Sequence, residues 1–505
     1  MNTWGSFQQL VAECPERLAF IQGDHETSFS ELAARTCDYQ HHFRSLGIKP
    51  GDRVLVWTQN HAEIAAAVLG TWGEGAIVAL MDASYSALQL QRALAVLEPS
   101  CIVHKGGLPP TGIAGECCTV STDEVPTRPH DFQFSGPSVN PAEPASVVFT
   151  SGSTGGPRGV TQSHRNLVGA CAAVYSYLGY QQEDRILCPV PWSFDYGFGQ
   201  LLTTLLCGLT QILPVHSNPF GIGEAITQHR PTVLAGTPTV YGLLTGAMSP
   251  IEDLDVASIR LLTSSGGKMP AELLATLALR FPAAALSLNY GLTETYRSCY
   301  LPVELADKPP GTIGRPIPGV DIAIIGADGS PVETGEVGEI IHRGKYIMLG
   351  YWNDPDSTDR VLKPDPIAEP GEEPPPKALF TGDLGYRDDD GLLHFVGRFD
   401  HQLKSMGVKV NPVEVESILL ELQELTQAAV FGVEHDILGD EIWAACVPVQ
   451  RAQCTPATLR LKLLALMSPY MLPRQYLILD ELPKNINGKV DYCALREMAR
   501  QRYRP

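Results

Sequence analysis

What this chain lacks narrows it before any motif is read. Basic residues are outnumbered: 37 Lys and Arg face 56 Asp and Glu, a formal net charge of −19. That balance works against non-specific binding to nucleic acid and says little about a small substrate. The 12 cysteines are scattered without a C-x-x-C pair, and only Cys117 and Cys118 adjoin. This removes a recognisable zinc site and suits reduced thiols, so a cytoplasmic protein is expected. No uncharged apolar run reaches the ~18 residues of a membrane span. The opening MNTWGSFQQLVAECPERLAF carries acids and lacks the basic-then-apolar order of a secretory signal. Solenoid-length repeats are absent too.

What is present fits a globular α/β protein. A chain of 505 residues, 44% hydrophobic and 18% charged, is too long for one core and predicts at least two domains. Helical spacing over Phe29–Leu46, with Ser30 as its N-cap, ends at Gly47. Strand patterns at Val54–Trp57, Ala76–Leu80 and Cys101–His104 alternate with helical ones at Ala62–Gly70 and Ala87–Leu97. Such alternation predicts parallel βαβ units. Lys105 to Pro144 reads as irregular, and the acidic, proline-rich KPDPIAEPGEEPPPK from Lys363 to Lys377 reads as a solvent loop.

The chain is organised around Phe149–Val160, FTSGSTGGPRGV. Four glycines let the backbone approach an anion and adopt positive φ. Successive N–H groups can converge there, joined by the hydroxyls of Thr150, Ser151, Ser153 and Thr154 and the charge of Arg158. A flexible linker seldom follows a buried strand such as Ala145–Phe149 directly. A Walker-type P-loop needs a terminal G-K-[ST], which Gly152 to Gly159 lacks.

Further motifs follow in order. PWSFDYGFGQLLTTLLCG, residues 191–208, opens a helix that buries Leu201, Leu202, Leu205 and Leu206, with Asp195 at its start. That carboxylate either caps the helix or pairs with a cation. Ser264-Ser265-Gly266-Gly267-Lys268 is a βα turn, and NYGLTET spans residues 289–295. FTGDLGYRDDDGLLHFVGR runs from Phe380 to Arg398; its Asp388-Asp389-Asp390-Gly391 is a hairpin turn and not a metal loop. The chain closes on LPKNINGKVDYCALREM, where Lys489 would by default be a solvated charge.

Five motifs among these stretches, the phosphate loop, YGLTE, TGD, GR-x-D (Gly397 to Asp400) and N-G-K-x-D, in this order and over nearly the whole chain, resemble the adenylate-forming superfamily of acyl-CoA synthetases, luciferases and nonribosomal adenylation domains. Arg158 stands where the family pattern has Lys, keeping the charge but as a planar fork. The resemblance implies a large N-terminal domain, residues 1–399, of two βαβ-type lobes plus a distorted β-barrel. A small mobile α+β domain, residues 400–505, follows, with Asp400 as hinge. It implies ATP and Mg2+ as cofactors. Thr150, Ser151, Gly152, Ser153, Thr154, Gly155 and Arg158 would hold phosphate; Gly266, Gly267, Asn289, Tyr290 and Gly291 the adenine side; Asp383, Phe395, Arg398 and Lys404 the ribose and α-phosphate side. Thr293 would touch phosphate and Glu294 would hold magnesium. Lys489 would bridge the substrate carboxylate and the α-phosphate. The small domain would then turn about Asp400, withdrawing Lys489 and bringing in the loop of Gly407, with Lys404 and Lys409 on that second face.

The same resemblance places the acyl pocket at Asp195, Tyr196, Gly199, Ala235, Thr263, Ser265, Asn289, Arg297 and Ser298. In amino-acid-activating members the Asp binds the α-ammonium, and SFDYGFGQ is similar to free-standing L-proline–[carrier protein] ligases. The expected partners are the acid and a carrier protein with a phosphopantetheine arm, supplied in trans because no carrier domain is seen, or coenzyme A. No nucleic acid or membrane partner is expected. A small-acid CoA ligase is the alternative, since Arg297 would neutralise Asp195 and leave room for a neutral or acidic acyl group.

Overall fold

The strands that read as unbroken apolar runs are those buried on both faces. Arg53–Trp57, Ile77–Met81 and Cys101–His104 pair in parallel, and helices Ala62–Gly73 and Ala87–Leu97 provide the crossovers. A computed structural model of the chain describes residues 1–57, 59–106, 117–128, 134–151, 157–267, 269–301, 311–369, 371, 375–398, 403–449, 454–483 and 490–502, apart from the side chains of Ser151, Arg398 and Cys493. Among the described residues the first sheet has seven strands. The hairpin of Pro144–Ser151 and Pro157–Ser163 lies beside Ile77–Met81, and Gly350–Tyr351 forms an edge.

The second sheet begins as parallel strands Thr210–Leu213, Arg185–Leu187, Val233–Gly236, Leu261–Ser264 and Ala285–Tyr290. It turns antiparallel at Cys299–Leu301 and runs on through Thr312–Pro316, Leu393–Arg398, Lys377–Arg387, Gly338–Gly344 and Val320–Ile325. The barrel-like part is therefore continuous with the second lobe. Residues 18–28 leave the first sheet, although they lie within its stretch of the chain. Their hairpin, Leu18–Gln22 with His25–Ser28, extends the second sheet beside Thr210–Leu213. Local alternation identifies a strand but carries no information about a partner almost 200 residues away.

A third sheet belongs to the small domain. Leu425–His435 and Gly439–Pro448 form its long antiparallel pair, the short hairpin Leu403–Ser405 and Val408–Val410 joins one end, and Gln475–Ile478 adds in parallel. Helices Pro412–Leu420 and Pro456–Leu463 cover a core containing Leu403, Val415, Ile418 and Leu463. On the opposite face, Tyr492–Arg502 packs Leu495 and Ala499 against Phe431 and Trp443. The two domains touch through Tyr470, whose ring meets Tyr85 at 6.0 Å and Phe194 at 5.9 Å. Arg92 pairs with Glu421 at 3.0 Å beside them.

Two local expectations are corrected. The helix Phe29–Ser45 is capped by Ser28 rather than Ser30, because Ser28 and Glu31 form a reciprocal capping box. Within the proline-rich insert, Leu362–Pro364 pairs with Lys377–Arg387, and Arg343 holds Asp365 at 2.7 Å, so its base is tied down.

Candidate nucleotide and acyl site

The hairpin Pro144–Ser151/Pro157–Ser163 delivers the phosphate loop. Thr150 and Arg158 face each other across its ladder, and the Arg158 guanidinium lies 5.3 Å from the centre of the Tyr351 ring. Gly152, Ser153, Thr154 and Gly155 lie outside the described residues, as do Asp400 and Lys489; the side chains of Ser151 and Arg398 are likewise not described.

Opposite Thr150 stands Glu294, 8% exposed. Its Oε1 accepts from the Tyr351 hydroxyl at 2.9 Å, and its Oε2 is 3.7 Å from Lys409 Nζ on the small domain. Gln162 Nε2 donates to the carbonyls of Thr293 and Glu294 at 3.2 and 3.3 Å, fixing the backbone that carries the carboxylate. Burial, then Glu294, pushes the Tyr351 phenol well above its ordinary pKa, so it remains a donor. A cavity of about 160 Å3 lies between these groups, lined by Thr150, Arg158, Glu294, Tyr351, Arg360 and Lys409.

The adenine and ribose candidates meet on the adjoining strands. Tyr290 closes Ala285–Tyr290 and donates its hydroxyl to Asp383 Oδ2 at 2.6 Å. Its ring lies 6.3 Å from that of Phe395. Asp383 is 2% exposed, paired in register with Arg398, and its N–H donates to Thr381 Oγ1 at 3.0 Å. Gly291 admits no side chain, since a Cβ would lie 2.9 Å from Arg297 Cα. Gly266 has φ +90°, and a Cβ on it would lie 2.9 Å from the carbonyl oxygen of Gly407. Gly407, at φ +79° in the small-domain hairpin, packs in turn on Thr237. A Cβ on Gly267 would sit in ordinary contact with Pro238, at 3.5 Å from its ring. Lys404 and Lys409 are cross-strand partners on that hairpin and share a face.

The acyl candidates form a wall of satisfied polar groups around one ion pair. Thr263 lies between Ala235 and Ser287 in the sheet. Its carbonyl accepts from the hydroxyls of Tyr196 at 2.7 Å and Tyr241 at 3.0 Å. Asn289 accepts from Tyr177 at 2.7 Å and donates to Thr263 Oγ1 at 2.9 Å. Ser265 is buried behind Ser264. Ser298 is fully buried, its hydroxyl engaged with Thr295 and His342, so it stands behind the wall. Asp195 is the first residue of the helix Asp195–Cys207, whose N-cap is Phe194. Arg297 Nη1 reaches the Asp195 Oδ2 at 3.4 Å and donates to the Tyr296 carbonyl at 2.5 Å. Arg297 is 3% exposed, with Tyr196 and Tyr296 ring centres 4.9 and 5.3 Å from its guanidinium. Burial opposes its charge, but Asp195 and the surrounding tyrosines outweigh that and raise its pKa. Gly199 lets the Tyr296 hydroxyl approach the helix closely, since a Cβ there would lie 2.9 Å from it.

Sequence reading missed Tyr351, Tyr177 and Arg360. Tyr351 is 57 residues from the glutamate it holds, in a stretch that reads only as a short strand, so no spacing signal marks it.

Comparison with known proteins agrees with this arrangement. Residues 7–352 match the AMP-binding enzyme family, and residues 414–489 match the AMP-binding enzyme C-terminal domain. The chain is 29% identical to the Delta-poly-L-ornithine synthetase of Acinetobacter baumannii over 97% of its own length, but spans only 36% of that protein. It is 28% identical to the Sulfoacetate--CoA ligase of Cupriavidus necator, covering 96% of this chain and 95% of the relative. Among solved structures, the amide bond synthetase McbA from Marinactinospora thermotolerans superposes with a TM-score of 0.89 at 25% identity, over 99% of both chains. With both a large and a small domain matched in order, the chain belongs to the AMP-binding enzyme family.

Proposed function

We propose that this enzyme activates an amino acid, L-proline being the leading candidate, with ATP and passes it to the phosphopantetheine thiol of a carrier protein. The observation that carries the choice of acid is Asp195: its carboxylate lies in the first turn of a helix and is turned toward a cation. In the first step the substrate carboxylate attacks the α-phosphorus of ATP, and the bond to pyrophosphate breaks. Tyr290 and Phe395 would flank the base, Asp383 would accept from the ribose hydroxyls, and the Thr150 hairpin with Arg158 would hold the phosphates. Lys489 would neutralise the two anions as they meet.

Glu294 fits magnesium. It is a hard oxygen donor facing the phosphate loop, and among the described residues no group of three or more His, Cys, Asp or Glu gathers anywhere. The other ligands would therefore be phosphate oxygens and water, which is magnesium's usual habit. When bound, the ion would screen phosphate charge. In the second step the thiol attacks the acyl adenylate carbonyl and AMP departs. The hairpin seated on Gly266 and Thr237 supports the assignment of Gly407 to that step.

A second reading, a small organic acid ligated to coenzyme A, is favoured by Arg297, which already neutralises Asp195. Relatives of both kinds exist: one is a poly-L-ornithine synthetase, another a sulfoacetate–CoA ligase. Pyrophosphate exchange across a panel of amino and organic acids tests the proposal. Exchange confined to acids with a primary or secondary amine is the expected result. Exchange with acids lacking one selects the second reading, and no exchange with any acid overturns both.

A further inference from the structure

The cavity beside the Thr150 hairpin carries more positive charge than the adenylation step uses. It measures about 160 Å3, about ten times what a single ordered water requires. Arg158, Arg360, Lys363 and Lys409 line it, against the carboxylates of Glu294 and Glu339. A chain with a formal net charge of −19 thus turns an excess of cations onto one hollow. Arg158 is half-buried within it, whereas Arg360 and Lys363 are exposed and form its rim. Local structure holds both rim cations. Arg360 lies in the last turn of the helix Pro355–Val361, where the helix dipole favours a cation, and donates to the Ser357 hydroxyl one turn back. Lys363 lies on Leu362–Pro364, which pairs with the strand that carries Thr381 and Asp383. Its ammonium stands 4.5 Å from the centre of the Phe380 ring. The segment that leads to them is pinned to the phosphate hairpin: Gly350 and Tyr351 pair with Thr161 and Val160, and the Trp352 N–H donates to the Gly159 carbonyl at 2.7 Å. Asp354, the carboxylate at the start of the same helix, caps it through the Ser357 N–H at 2.9 Å and does not line the cavity.

We propose that Arg360 and Lys363 form an anion subsite at the rim of this cavity, which takes pyrophosphate as it leaves the Thr150 hairpin. The inference rests on the reading of that hairpin as the phosphate site. Pyrophosphate is a compact polyanion that exposes acceptor oxygens on both phosphorus atoms. A planar guanidinium fork beside a mobile ammonium suits such a group. A cleft lined by one sign of charge also concentrates its counter-ion. Cations graded from half-buried to exposed keep the anion beside an opposite charge along its way out, which lowers the barrier to departure. At the rim, solvent and salt screen the attraction, so the anion is passed on and not trapped. The acyl candidates around Asp195 and Arg297 do not line this cavity. Pyrophosphate therefore clears the site without crossing the newly formed acyl adenylate.

The test is calorimetric titration of the full chain with inorganic pyrophosphate, AMP and a non-hydrolysable ATP analogue, each with Mg2+. In the double variant Arg360→Gln with Lys363→Gln, pyrophosphate should bind about ten-fold more weakly at low salt, and the loss should shrink toward about two-fold in about 0.5 M salt as screening removes the contribution of exposed charges. AMP and the analogue should bind nearly as they do to wild type. Arg360→Lys with Lys363→Arg keeps both charges and should restore most of the pyrophosphate affinity. Unchanged pyrophosphate affinity in the double glutamine variant would overturn the proposal. An equal loss for AMP would overturn it too, by marking a general distortion of the site. So would an equal loss for the analogue, which would place the two cations on the bound triphosphate and not on the departing product. Arg158→Gln tests the underlying reading separately, since it should weaken pyrophosphate and the analogue together. If it left both unchanged while the double variant lost pyrophosphate, the phosphate role of the hairpin would fall and the rim subsite would stand.

Discussion

Tyr290 donates its hydroxyl to Asp383 at 2.6 Å across strands that are 93 residues apart in the chain. The bond joins the motif assigned to the base with the motif assigned to the sugar. Burial, and then the adjacent carboxylate, raise the Tyr290 phenol well above its ordinary pKa, so it stays protonated and donates to Asp383. Tyr290→Phe keeps the ring and removes the donor. It should weaken AMP binding by about five-fold, the value of one hydrogen bond of about 1 kcal/mol. Asp383→Ala removes the acceptor for the ribose as well and should cost at least ten-fold more. Calorimetric titration with AMP measures both, and equal losses in the two variants would contradict the division of roles.

A second prediction concerns Lys489. If one ammonium on the small domain is needed only while two anions meet, Lys489→Ala should cripple pyrophosphate exchange. Thioester formation from a supplied acyl adenylate should survive largely intact. Removing a preorganised charge from such a site costs about 10²–10³ in rate. Equal loss in both half-reactions, followed in single-turnover assays, would deny the lysine a step-specific role.

Legibility in the sequence followed the range of each signal. The buried parallel strands and the helix Ala87–Leu97 were readable because apolar runs and helical spacing act within a few residues. Tyr290, Asp383 and Glu294 stand out in the sequence through family motifs; in the structure Tyr290 bonds to Asp383, and Glu294 lines a cavity with Thr150. The attachment of Leu18–Ser28 to the second sheet, the grip of Tyr351 on Glu294 and the ion pair from Lys409 were not readable. Each depends on tertiary closure between distant segments, which neither periodicity nor spacing encodes. Asp195 lies between these cases: its position was evident, whereas its pairing with Arg297 needed three dimensions.

The pair Asp195–Arg297 yields a third prediction. Under the leading reading, Asp195→Asn should lower exchange with an amine-bearing acid by about 10- to 100-fold, since a charged hydrogen bond is worth about 1.5–3 kcal/mol. Acids lacking the amine should be little affected. Arg297→Met should lower thermal stability, because it leaves a partly buried carboxylate without its cation. The double variant should be more stable than Arg297→Met alone. Selectivity is read by pyrophosphate exchange and stability by calorimetry; a strictly additive double variant would show that the two charges are not coupled.

A fourth prediction isolates the seated hairpin. Gly407 has φ +79°, and a Cβ there would meet Thr237 Cγ2 at 3.0 Å and Cβ at 3.1 Å. Gly407→Ala therefore carries about 1–2 kcal/mol of left-handed backbone strain together with a contact that arises only on seating. Thiol transfer should fall sharply while pyrophosphate exchange stays near wild type. Thr237→Ser removes the offending methyl but keeps the hydroxyl that caps the helix Pro238–Leu244. Added to Gly407→Ala, it should recover part of the lost transfer. No recovery would mean that backbone strain alone accounts for the defect.

The last prediction follows from Glu414 at the junction of the two domains. It is 4% exposed in the first turn of the helix Pro412–Leu420 and lines a small cavity with Tyr85, Arg92, Thr150 and Tyr470. Burial pushes its carboxyl up to about 7, and Arg92, which also serves Glu421, only partly opposes this. An acid whose folded pKa lies above its unfolded value favours the folded state while protonated. Its contribution is complete below the ordinary value of 4.5 and is lost as pH rises through about 7. Glu414→Gln mimics the protonated form and cannot ionise. Its melting temperature should match wild type near the acid end of this window, at about pH 4.5, and exceed it by a growing margin up to about pH 8, where the wild-type carboxylate is fully charged. Differential scanning calorimetry at matched ionic strength across that range measures the difference. The buried histidines His164 and His342, both lowered to about 4 by burial, act in the opposite direction, but such groups are common to both proteins and cancel. A margin that narrowed with rising pH would mean that Glu414 is stabilised as an anion, and that Arg92, not burial, sets its charge.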